Sequence, residues 1–467
     1  MAKHCLAVDI GASSGRLIVG SVNERQLHLQ EIHRFKNQIV EKNGHFCWDV
    51  NELFDQIKIG IKRCDELDIK PASIGIDTWA VDFVLLDEHD QLLTDAISYR
   101  DPRTDGMMEE VSDILMKERL YLETGIQFQK FNTIYQLYSL KKHSPEVLAK
   151  AKSFLMIPDY LHYLLTGVKA NEYTNATSTQ LINAFTKKWD KEIINTLGLN
   201  FDMFQDIKMP KEKLGRLKEE LVEEFGFSMD VILPATHDTG SAVLAVPELE
   251  DTIYVSSGTW SLIGVENDFP ICVTKALDYN FTNEGGMDYQ FRFLKNIMGL
   301  WMIQEVRRNY KNKYSFTELV EFSENVSSIV GKVNVDDQRF LKPDNMIEEI
   351  QNYCRETNQP VPISPGEVAK CVFDSLADSY QKAVTEIEDI FEKEFKTINV
   401  IGGGCQNQLL NQLIADVTKK EVFAGPVEAT AIGNIIAQLI ALKEIKDINE
   451  ARGLIKHSFE VKKYVHA

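Results

Sequence analysis

Two segments of this sequence repeat one local pattern, and the repetition constrains the fold more than any other feature. Leu6–Val22 is an apolar run, a turn rich in Gly and Ser, and a second β-branched run. Thr252–Val265 has the same order, with Ser-Ser-Gly in its turn. Alternating Val, Ile and Leu around Gly and Ser residues is typical of a β-hairpin. The pattern predicts two related halves, each beginning with a hairpin; chance recurrence of a common turn is the alternative.

The remaining segments alternate between strand-like and helical patterns. Ser73–Ile76 and Asp82–Asp87 are short apolar runs that predict strands. Lys295–Tyr310, Val368–Phe391 and the charge-free segment Ala429–Leu442 predict helices, the last of them buried. Strands that alternate with helices indicate a mixed α/β protein.

Length and charge limit the class of protein. The 467 residues predict two to three domains at roughly 150 residues each, and we place the boundary near Pro247, between a 1–246 and a 247–467 domain. The net charge of −19 argues against nucleic-acid and membrane-surface partners. No apolar run is long enough for a bilayer, and Asp9 comes too early for a secretory leader, so we expect a cytoplasmic protein. Seven scattered cysteines without a CxxC pair predict no zinc knuckle.

The usual nucleotide and metalloprotease motifs are absent: the sequence has no GxxxxGK[ST], no GxGxxG after a strand and no HExxH. Gly11–Gly15 does match GxSxG, but a serine nucleophile at Ser13 would need a helix after the turn, and a strand-like run follows. The turn can instead bind phosphate through its amides, its Ser hydroxyls and the cation Arg16, with Thr259 adding a hydroxyl in the second hairpin. Asp9 could then hold Mg²⁺ through water. Two ordinary turns are the alternative interpretation.

Three further positions have both a functional and a structural interpretation. Asp238 is either a general base for a hydroxyl that receives a phosphoryl group or the N-cap of a helix, and His237 beside it is a ligand contact or a packing residue. Trp79 suits the face of a sugar but equally suits a core. Gly402–Gly404 allows a base or ribose to approach the backbone, or simply permits close packing of a strand and a helix.

Ten motifs in one order resemble those of the FGGY carbohydrate kinase family across nearly the whole chain, thinning after about residue 442 and within 311–330. They are Asp9–Arg16, Gly75–Trp79, Val81–Asp87, Tyr99–Asp101, Tyr173–Thr177, His237–Thr239, Ser256–Leu262, Thr282–Gly286, Lys295–Trp301 and Gly402–Asn407. The resemblance implies an α/β fold of two actin-like (ribonuclease H-like) domains with an active site in the cleft between them. It also implies transfer of the ATP γ-phosphoryl group to the 1-hydroxyl of L-rhamnulose, with Mg²⁺, by a monomer or homodimer.

The resemblance assigns roles residue by residue. Asp238 is implied to be the general base. The implied ATP contacts are Ala12, Ser13, Ser14, Gly15, Arg16, Thr259, Gln304 and Gly403. The implied sugar contacts are Ala80, His237, Asp238, Thr239 and Asn296.

The sequence departs from the family pattern in few places. Ala80 stands where we expect Gly, which narrows the implied sugar pocket by a methyl group, and Val417–Lys420 lacks an expected Gly. Cys354 and Cys371 match cysteine positions of the family, with or without a bond between them. An actin-like filament or chaperone ATPase remains the competing class, since it would share the two hairpins but need no sugar pocket. Within the family, L-fuculose, xylulose or glycerol are the alternative substrates.

Overall fold

The computed structural model describes residues 3–466, which pack into two compact units. The first unit consists of the chain up to residue 247 together with 266–293 and 429–458. The second consists of 248–265, 294–428 and the segment after 458. The division into domains at residue 246 stays a prediction, and two segments that lie beyond that boundary pack with the residues before it.

The strands within residues 3–466 are short and distributed along the whole chain. In chain order they are β1 (Cys5–Ile10), β2 (Ser14–Asn23), β3 (Gln26–Lys36), β4 (Ile39–Lys42), β5 (His45–Trp48), β6 (Ser73–Thr78), β7 (Phe83–Leu86), β8 (Ala96–Ile97), β9 (Ser153–Met156), β10 (Asn171–Glu172), β11 (Ile207–Lys208), β12 (Lys213–Arg216), β13 (Asp230–Ile232), β14 (Thr252–Ser257), β15 (Trp260–Asn267), β16 (Thr282–Gly285), β17 (Phe291–Met298), β18 (Thr397–Ile401), β19 (Glu421–Ala424) and β20 (Lys462–Tyr464).

The helices of the same residues range from one turn to more than seven. They are α1 (Val50–Glu66), α2 (Met107–Ile114), α3 (Lys117–Thr124), α4 (Thr133–His143), α5 (Pro145–Lys150), α6 (Ile157–Thr166), α7 (Tyr173–Thr177), α8 (Lys191–Thr196), α9 (Glu219–Phe225), α10 (Asp238–Leu244), α11 (Thr274–Asp278), α12 (Trp301–Asn309), α13 (Phe316–Glu324), α14 (Met346–Glu356), α15 (Pro365–Phe391), α16 (Gln408–Thr418), α17 (Ala429–Ala441) and α18 (Ile448–Ser458).

The first unit is built on a six-stranded sheet in the order β12-β13-β6-β1-β2-β3. The β1–β2 hairpin is antiparallel, and β6 and β13 then add in parallel beyond β1. Every residue of β1 and β6 is buried, as expected for central strands that are covered on both faces. The predicted first hairpin is confirmed, and the strand predicted at Ser73–Ile76 is part of β6.

Helix α17 covers this sheet and supplies two buried amides to it. The Asn434 side chain donates to the Gly75 carbonyl (3.1 Å), and the Gln438 side chain donates to the Leu6 carbonyl (3.0 Å). Ser73 Oγ in turn donates to Gln438 Oε1 (2.7 Å). The segment is therefore the buried helix that the sequence predicts, and its two polar residues are satisfied by the strands beneath it.

The second unit repeats the same arrangement of strands. Its hairpin, β14–β15, is antiparallel, β18 and β19 add in parallel beyond β14, and β20 closes the edge in antiparallel orientation. The second predicted hairpin is thus confirmed. Because hairpin, parallel pair and antiparallel edge follow in the same order in both sheets, the two units have related topologies.

One predicted helix is wrong in its first part. The sequence pattern predicts a helix over Lys295–Tyr310, but the structure continues β17 to Met298 and begins α12 only at Trp301. Gly299 separates the two elements because a Cβ there would lie 2.7 Å from Ser261 Oγ and 2.8 Å from the Gly258 carbonyl oxygen. The close approach of the β14–β15 turn therefore decides where the helix begins.

All seven cysteines are buried free thiols, including Cys354 and Cys371. Burial raises the pKa of the Cys5 and Cys64 thiols to about 12, which keeps both protonated and unreactive at neutral pH. Cys5 and Cys64 therefore act as small apolar residues of the core. Cys354 differs, because a hydrogen bond with Cys371 lowers the pKa of its thiol.

Candidate active site

Hydrogen bonds to its backbone carbonyls hold the turn between β1 and β2, and its side chains are exposed to solvent. The Gly11 N–H donates to the Ser14 carbonyl (2.9 Å). Asn37 engages two more turn carbonyls, since its side chain donates to Gly11 (2.9 Å) and its backbone N–H donates to Ser13 (3.1 Å). Ser13 and Ser14 are exposed and Ala12 is partly exposed. The turn thus presents small side chains to solvent in a fixed conformation, as an anion-binding loop requires.

Gly15 packs tightly against a side chain of the neighbouring strand. It is buried against the ring of Phe35, and a Cβ at this position would overlap that ring. The predicted ATP contact at Gly15 is therefore also a packing constraint, which fixes how closely β2 approaches β3.

Arg16 forms an ion pair within the hairpin. Its Nε and Nη2 both donate to Asp9 Oδ2, at 3.0 and 2.9 Å, from the position directly opposite on the neighbouring strand. Asp9 is only 7% exposed. The Arg16 guanidinium therefore lies beside the turn and neutralises the Asp9 carboxylate.

Asp77 places a second carboxyl group beside Asp9. The two residues are register partners in the parallel pair β1–β6. Asp77 Oδ2 accepts a hydrogen bond from Asn434 (2.6 Å), whereas Oδ1 is buried without a hydrogen-bond partner among residues 3–466. Burial first, and then the charge of Asp9, raise the pKa of Asp77 well above its usual value.

Asp238 is the first residue of α10, and His237 occupies the N-cap position without capping through its side chain. The interpretation of Asp238 as an N-cap is therefore wrong. Its Oδ1 accepts the backbone N–H of Thr239 (2.6 Å), and 31% of its side chain remains exposed. The carboxylate is anchored at one oxygen and accessible, which is the arrangement that a general base needs.

The surroundings of Asp238 favour its protonated form. Burial raises the pKa of Asp238, the nearby His237 lowers it, and the charge of Asp9 raises it again, with a net upward shift from 3.8. A carboxylate that binds a proton more tightly than usual is a stronger base while it remains ionised at neutral pH.

His237 is buried between Asp238 and an ion pair. Its Nε2 lies 3.4 Å from Asp238 Oδ1. Its Nδ1 lies 3.1 Å from Arg292 Nη2 and 3.2 Å from Glu284 Oε2. The ring is thus contacted by charged groups on both sides, and both interpretations of His237, as a ligand contact and as a packing residue, stay predictions.

Trp79 lies in an aromatic pair beneath the loop that follows β6. Its indole Nε1 donates to the buried carboxylate of Asp82 (3.0 Å), as does the Trp48 indole (2.6 Å). The two indole rings are 4.3 Å apart between centroids. Trp79 is only 6% exposed, which favours the core interpretation, while the adjacent Ala80 is partly exposed. The loop is close to His237 in the fold, since Thr78 pairs with His237 in an isolated bridge.

In the second unit, the β14–β15 turn meets the start of α12. The Leu300 N–H donates to the Gly258 carbonyl (2.9 Å), and the Trp301 N–H donates to the Thr259 carbonyl (3.1 Å). Gln304 lies one turn further along α12, partly exposed, and its N–H donates to Leu300. Thr259 and Gln304, 45 residues apart in sequence, therefore belong to one local structure.

The triple glycine lies against the same turn. A Cβ at Gly404 would overlap the Ser257 side chain, and at Gly402 it would be 3.1 Å from the Ser257 carbonyl oxygen. Gly403 is exposed, with no atom within 4 Å of where its Cβ would be. Close packing thus explains the first and third glycines, whereas Gly403 alone is open to a ligand. Asn296, partly exposed on β17, completes the predicted positions of this unit.

Ser13 does not have the surroundings of a hydrolase nucleophile. The turn is followed by the antiparallel strand β2 and not by a helix. Without the strand–turn–helix geometry of a nucleophile elbow, the GxSxG match carries no catalytic meaning.

Three residues of the site, Glu284, Arg292 and Asn434, are not predicted by any sequence pattern. Glu284 stands inside one of the ten family motifs, but no role was assigned to it. Arg292 and Asn434 lie outside those motifs. The one sign of their role in the sequence is a charged residue, or an amide, within an otherwise apolar run.

No helix within residues 3–466 combines the length and apolarity needed to cross a bilayer. Likewise, no group of three or more His, Cys, Asp or Glu in that part of the chain is arranged to hold a metal by side chains alone.

Comparison with known proteins identifies the family. Residues 4–245 match the N-terminal domain and residues 253–442 the C-terminal domain of the FGGY family of carbohydrate kinases. A rhamnulokinase from Halalkalibacterium halodurans is 74% identical over 465 residues, covering 100% of this chain and 99% of its own. One from Oceanobacillus iheyensis is 63% identical, covering 98% and 97%.

Solved structures agree on the fold. The crystal structure of gluconate kinase from Lactobacillus acidophilus matches with a TM-score of 0.83 at 18% sequence identity, covering 100% of this chain and 94% of that one. The chain therefore belongs to the FGGY family of carbohydrate kinases, with the two-domain α/β fold of that family, and is an enzyme that phosphorylates a sugar with ATP.

Proposed function

We propose that this kinase transfers the γ-phosphoryl group of ATP to the 1-hydroxyl of L-rhamnulose, yielding L-rhamnulose 1-phosphate and ADP in L-rhamnose degradation. The observation that carries the chemical part is Asp238, an accessible carboxylate at the start of α10 whose pKa is raised and whose neighbour is His237. The choice of sugar is supported by relatives of 74% and 63% identity that are named rhamnulokinases.

Asp238 acts as the general base in a direct in-line transfer. The sugar hydroxyl oxygen forms a bond to the γ-phosphorus while the bond from that phosphorus to the β,γ-bridging oxygen breaks. The hydroxyl proton passes to the free oxygen of Asp238, and ADP leaves with the electron pair of the broken bond. Thr239 holds the other carboxylate oxygen through its N–H (2.6 Å), which orients the base toward the sugar.

The remaining roles follow the family pattern. In the first unit, the exposed β1–β2 turn binds phosphate through Ala12, Ser13, Ser14, Gly15 and Arg16, and the sugar contacts Ala80, His237 and Thr239. In the second unit, Thr259 and Gln304 at the junction of turn and helix, and the open Gly403, contact ATP, while Asn296 contacts the sugar. The small side chains and exposed positions found at the turn and at Gly403 support these assignments.

The carboxyl groups around Asp9 fit a magnesium ion bound through water. Asp77 Oδ1 is buried without a partner among the described residues, and Asp9 lies in register with it. Carboxylate oxygens are the donors that Mg²⁺ prefers, and it commonly uses one or two of them together with water and phosphate oxygens. Asp9 would hold the ion, which would supply positive charge to the phosphate oxygens during transfer.

A substrate panel tests the proposed function. ADP release is measured with L-rhamnulose, L-fuculose, xylulose and glycerol at equal concentrations, with ATP saturating. We expect kcat/KM for L-rhamnulose to exceed that for each other substrate by about tenfold or more, since pocket contacts to hydroxyl groups discriminate at least that strongly. A higher kcat/KM with another sugar would overturn the assignment of substrate, and sugar-independent ADP release at the same rate would overturn the kinase mechanism.

A further inference from the structure

A buried ion pair lies directly behind His237. The Arg292 side chain is 0% exposed, its Nε donates to the Gly285 carbonyl (2.9 Å), and its Nη1 lies 3.2 Å from Glu284 Oε2. Glu284 is itself 5% exposed. Such pairs contribute little net stability, because desolvation of both charges offsets their attraction. A structural role alone therefore gives no reason for charges at this position.

The guanidinium restricts which nitrogen of His237 can carry a proton. Arg292 Nη2 lies 3.1 Å from His237 Nδ1. Guanidinium nitrogens only donate hydrogen bonds and do not lose their protons at neutral pH. Nδ1 must therefore be the acceptor in this contact, and the proton of the neutral ring must be on Nε2.

Glu284 competes with Arg292 for Nδ1, since its Oε2 lies 3.2 Å away, but this contact does not have the geometry of a hydrogen bond. The same oxygen also lies 3.2 Å from Arg292 Nη1. Its charge is thus already compensated by the guanidinium, and an Nδ1–H would be directed at the Nη2–H groups of Arg292. The ion pair as a whole favours the ring with the proton on Nε2.

We propose that Arg292 and Glu284 are positioning residues that hold His237 as the Nε2–H tautomer. The inference rests on the proposed function, in which His237 contacts the sugar beside the base. Nε2 faces Asp238 Oδ1 at 3.4 Å. In the free enzyme the Nε2–Oδ1 contact does not have the geometry of a hydrogen bond, and in the complex the N–H becomes a hydrogen-bond donor for a sugar oxygen. The site would then select a sugar with an acceptor oxygen next to the hydroxyl that is phosphorylated.

The tautomer can be observed without any activity measurement. The full chain is labelled with ¹⁵N-histidine, and the spectrum is recorded near pH 8. The signals of His237 are assigned by their loss in His237→Gln. We expect a pyridine-type signal from Nδ1 and a pyrrole-type signal from Nε2. A protonated Nδ1 in the wild-type protein would overturn the inference, whatever the sugar specificity proves to be.

A double variant tests the consequence for the sugar. Glu284→Met with Arg292→Met removes both charges at similar volume, so that neither is left buried alone. We expect a mixture of His237 tautomers and a kcat/KM for the sugar lower by roughly 10- to 100-fold. This is the range found when the hydrogen-bond partners that orient metal-ligating histidines are removed. The KM for ATP should stay unchanged.

A matched pair in the same unit is the control. Arg119 and Glu123 also form an ion pair (3.0 Å), with side chains 37% and 27% exposed. Glu123→Met with Arg119→Met should leave the His237 signals and the KM for the sugar unchanged. A Glu284→Met/Arg292→Met protein with wild-type tautomer and wild-type kcat/KM would refute the inference. If the Glu284→Met/Arg292→Met protein does not fold, the wild-type spectrum still tests the tautomer. A wild-type enzyme that phosphorylates none of the sugars would refute only the proposed function.

Discussion

Asp238 differs from the other buried carboxylates of its unit in being both anchored and accessible. Asp77 is fully enclosed beneath α17, and Asp9 is paired with Arg16. Asp238 has one oxygen held by the Thr239 N–H and 31% of its side chain exposed. Of the three, only Asp238 therefore combines an anchored carboxylate with enough exposure for a substrate hydroxyl to reach its other oxygen.

Replacing the proposed base should lower kcat strongly without unfolding the protein. Asp238→Asn keeps the shape and the oxygen that accepts from Thr239, so stability should change little. We expect kcat to fall by about 10²- to 10⁴-fold, the usual contribution of general-base catalysis. Steady-state ADP release measures the effect. The same exchange at the exposed Asp202 is the control and should be neutral, and a near-normal kcat in Asp238→Asn would contradict the assigned role.

The pH dependence of activity should reflect the raised pKa of Asp238. Burial shifts this pKa upward from 3.8, and the base works only when ionised, so activity is present above the shifted pKa and is lost as the pH falls through it. The acid limb of kcat/KM, which reports the free enzyme, should thus have its midpoint above 3.8. Circular dichroism at each pH separates titration from acid unfolding. A limb at or below 3.8 in folded protein would contradict the prediction.

Helices α10 and α17 meet so closely that one glycine sets their distance. A Cβ at Gly433 of α17 would overlap the backbone carbonyl of Ser241 in α10. Backbone atoms cannot rotate away as the end of a side chain can. Because Asp238 is the first residue of α10, the packing of these two helices also positions the proposed base.

Widening this contact should affect stability and catalysis together. Gly433→Ala should lower the free energy of unfolding by about 1–3 kcal/mol, the typical cost of overpacking. It should also lower kcat roughly 10- to 100-fold, since shifts near 1 Å of a catalytic group have effects of that size. Urea denaturation and steady-state kinetics measure the two effects.

Gly453→Ala provides the matched control for this helix contact. It lies on the next helix, α18, with no atom within 4 Å of its added Cβ, and should stabilise slightly or be neutral. Unchanged kcat in Gly433→Ala would show that α10 does not depend on this contact.

Across the whole molecule, the first unit depends on a segment that the chain supplies near its end. The four large aliphatic residues Ile432, Ile435, Ile436 and Leu439 of α17 are fully buried. At roughly 1.5–3 kcal/mol for each side chain, their burial stabilises the unit by on the order of 6–12 kcal/mol, comparable with the total stability of a typical domain. The first 247 residues therefore lack the helix that covers β1 and β6.

Truncation at two points tests this dependence. A chain that ends at Glu428 lacks α17, α18 and β20, whereas one that ends at Ser458 lacks only the residues after α18, including β20. Amide hydrogen exchange should be fast in β1 and β6 of the shorter chain and slow in the longer one. Equal protection of these strands in both chains would show that the first unit folds without its late segment.

Sequence patterns predicted those elements whose signal is local. The two hairpins, the strand at Ser73–Ile76 and the buried helix from Ala429 are confirmed because alternation and period arise from residues that are neighbours in the chain. The predicted helix at Lys295 is wrong because a residue from another hairpin, Ser261, decides where β17 ends and α12 begins. No local pattern contains that information.

The same distinction holds for the site. The family motifs and their spacing by themselves determined the class of enzyme and named Asp238 and the two phosphate turns as candidates. Only the tertiary structure decided what surrounds them: Asn434 reaches Asp77 across 357 residues, and Arg292 reaches His237 across 55. Packing between distant segments decides which buried donor meets which acceptor. A polar group needs a protein partner only after folding has removed it from water, so the sequence near that group does not identify the partner.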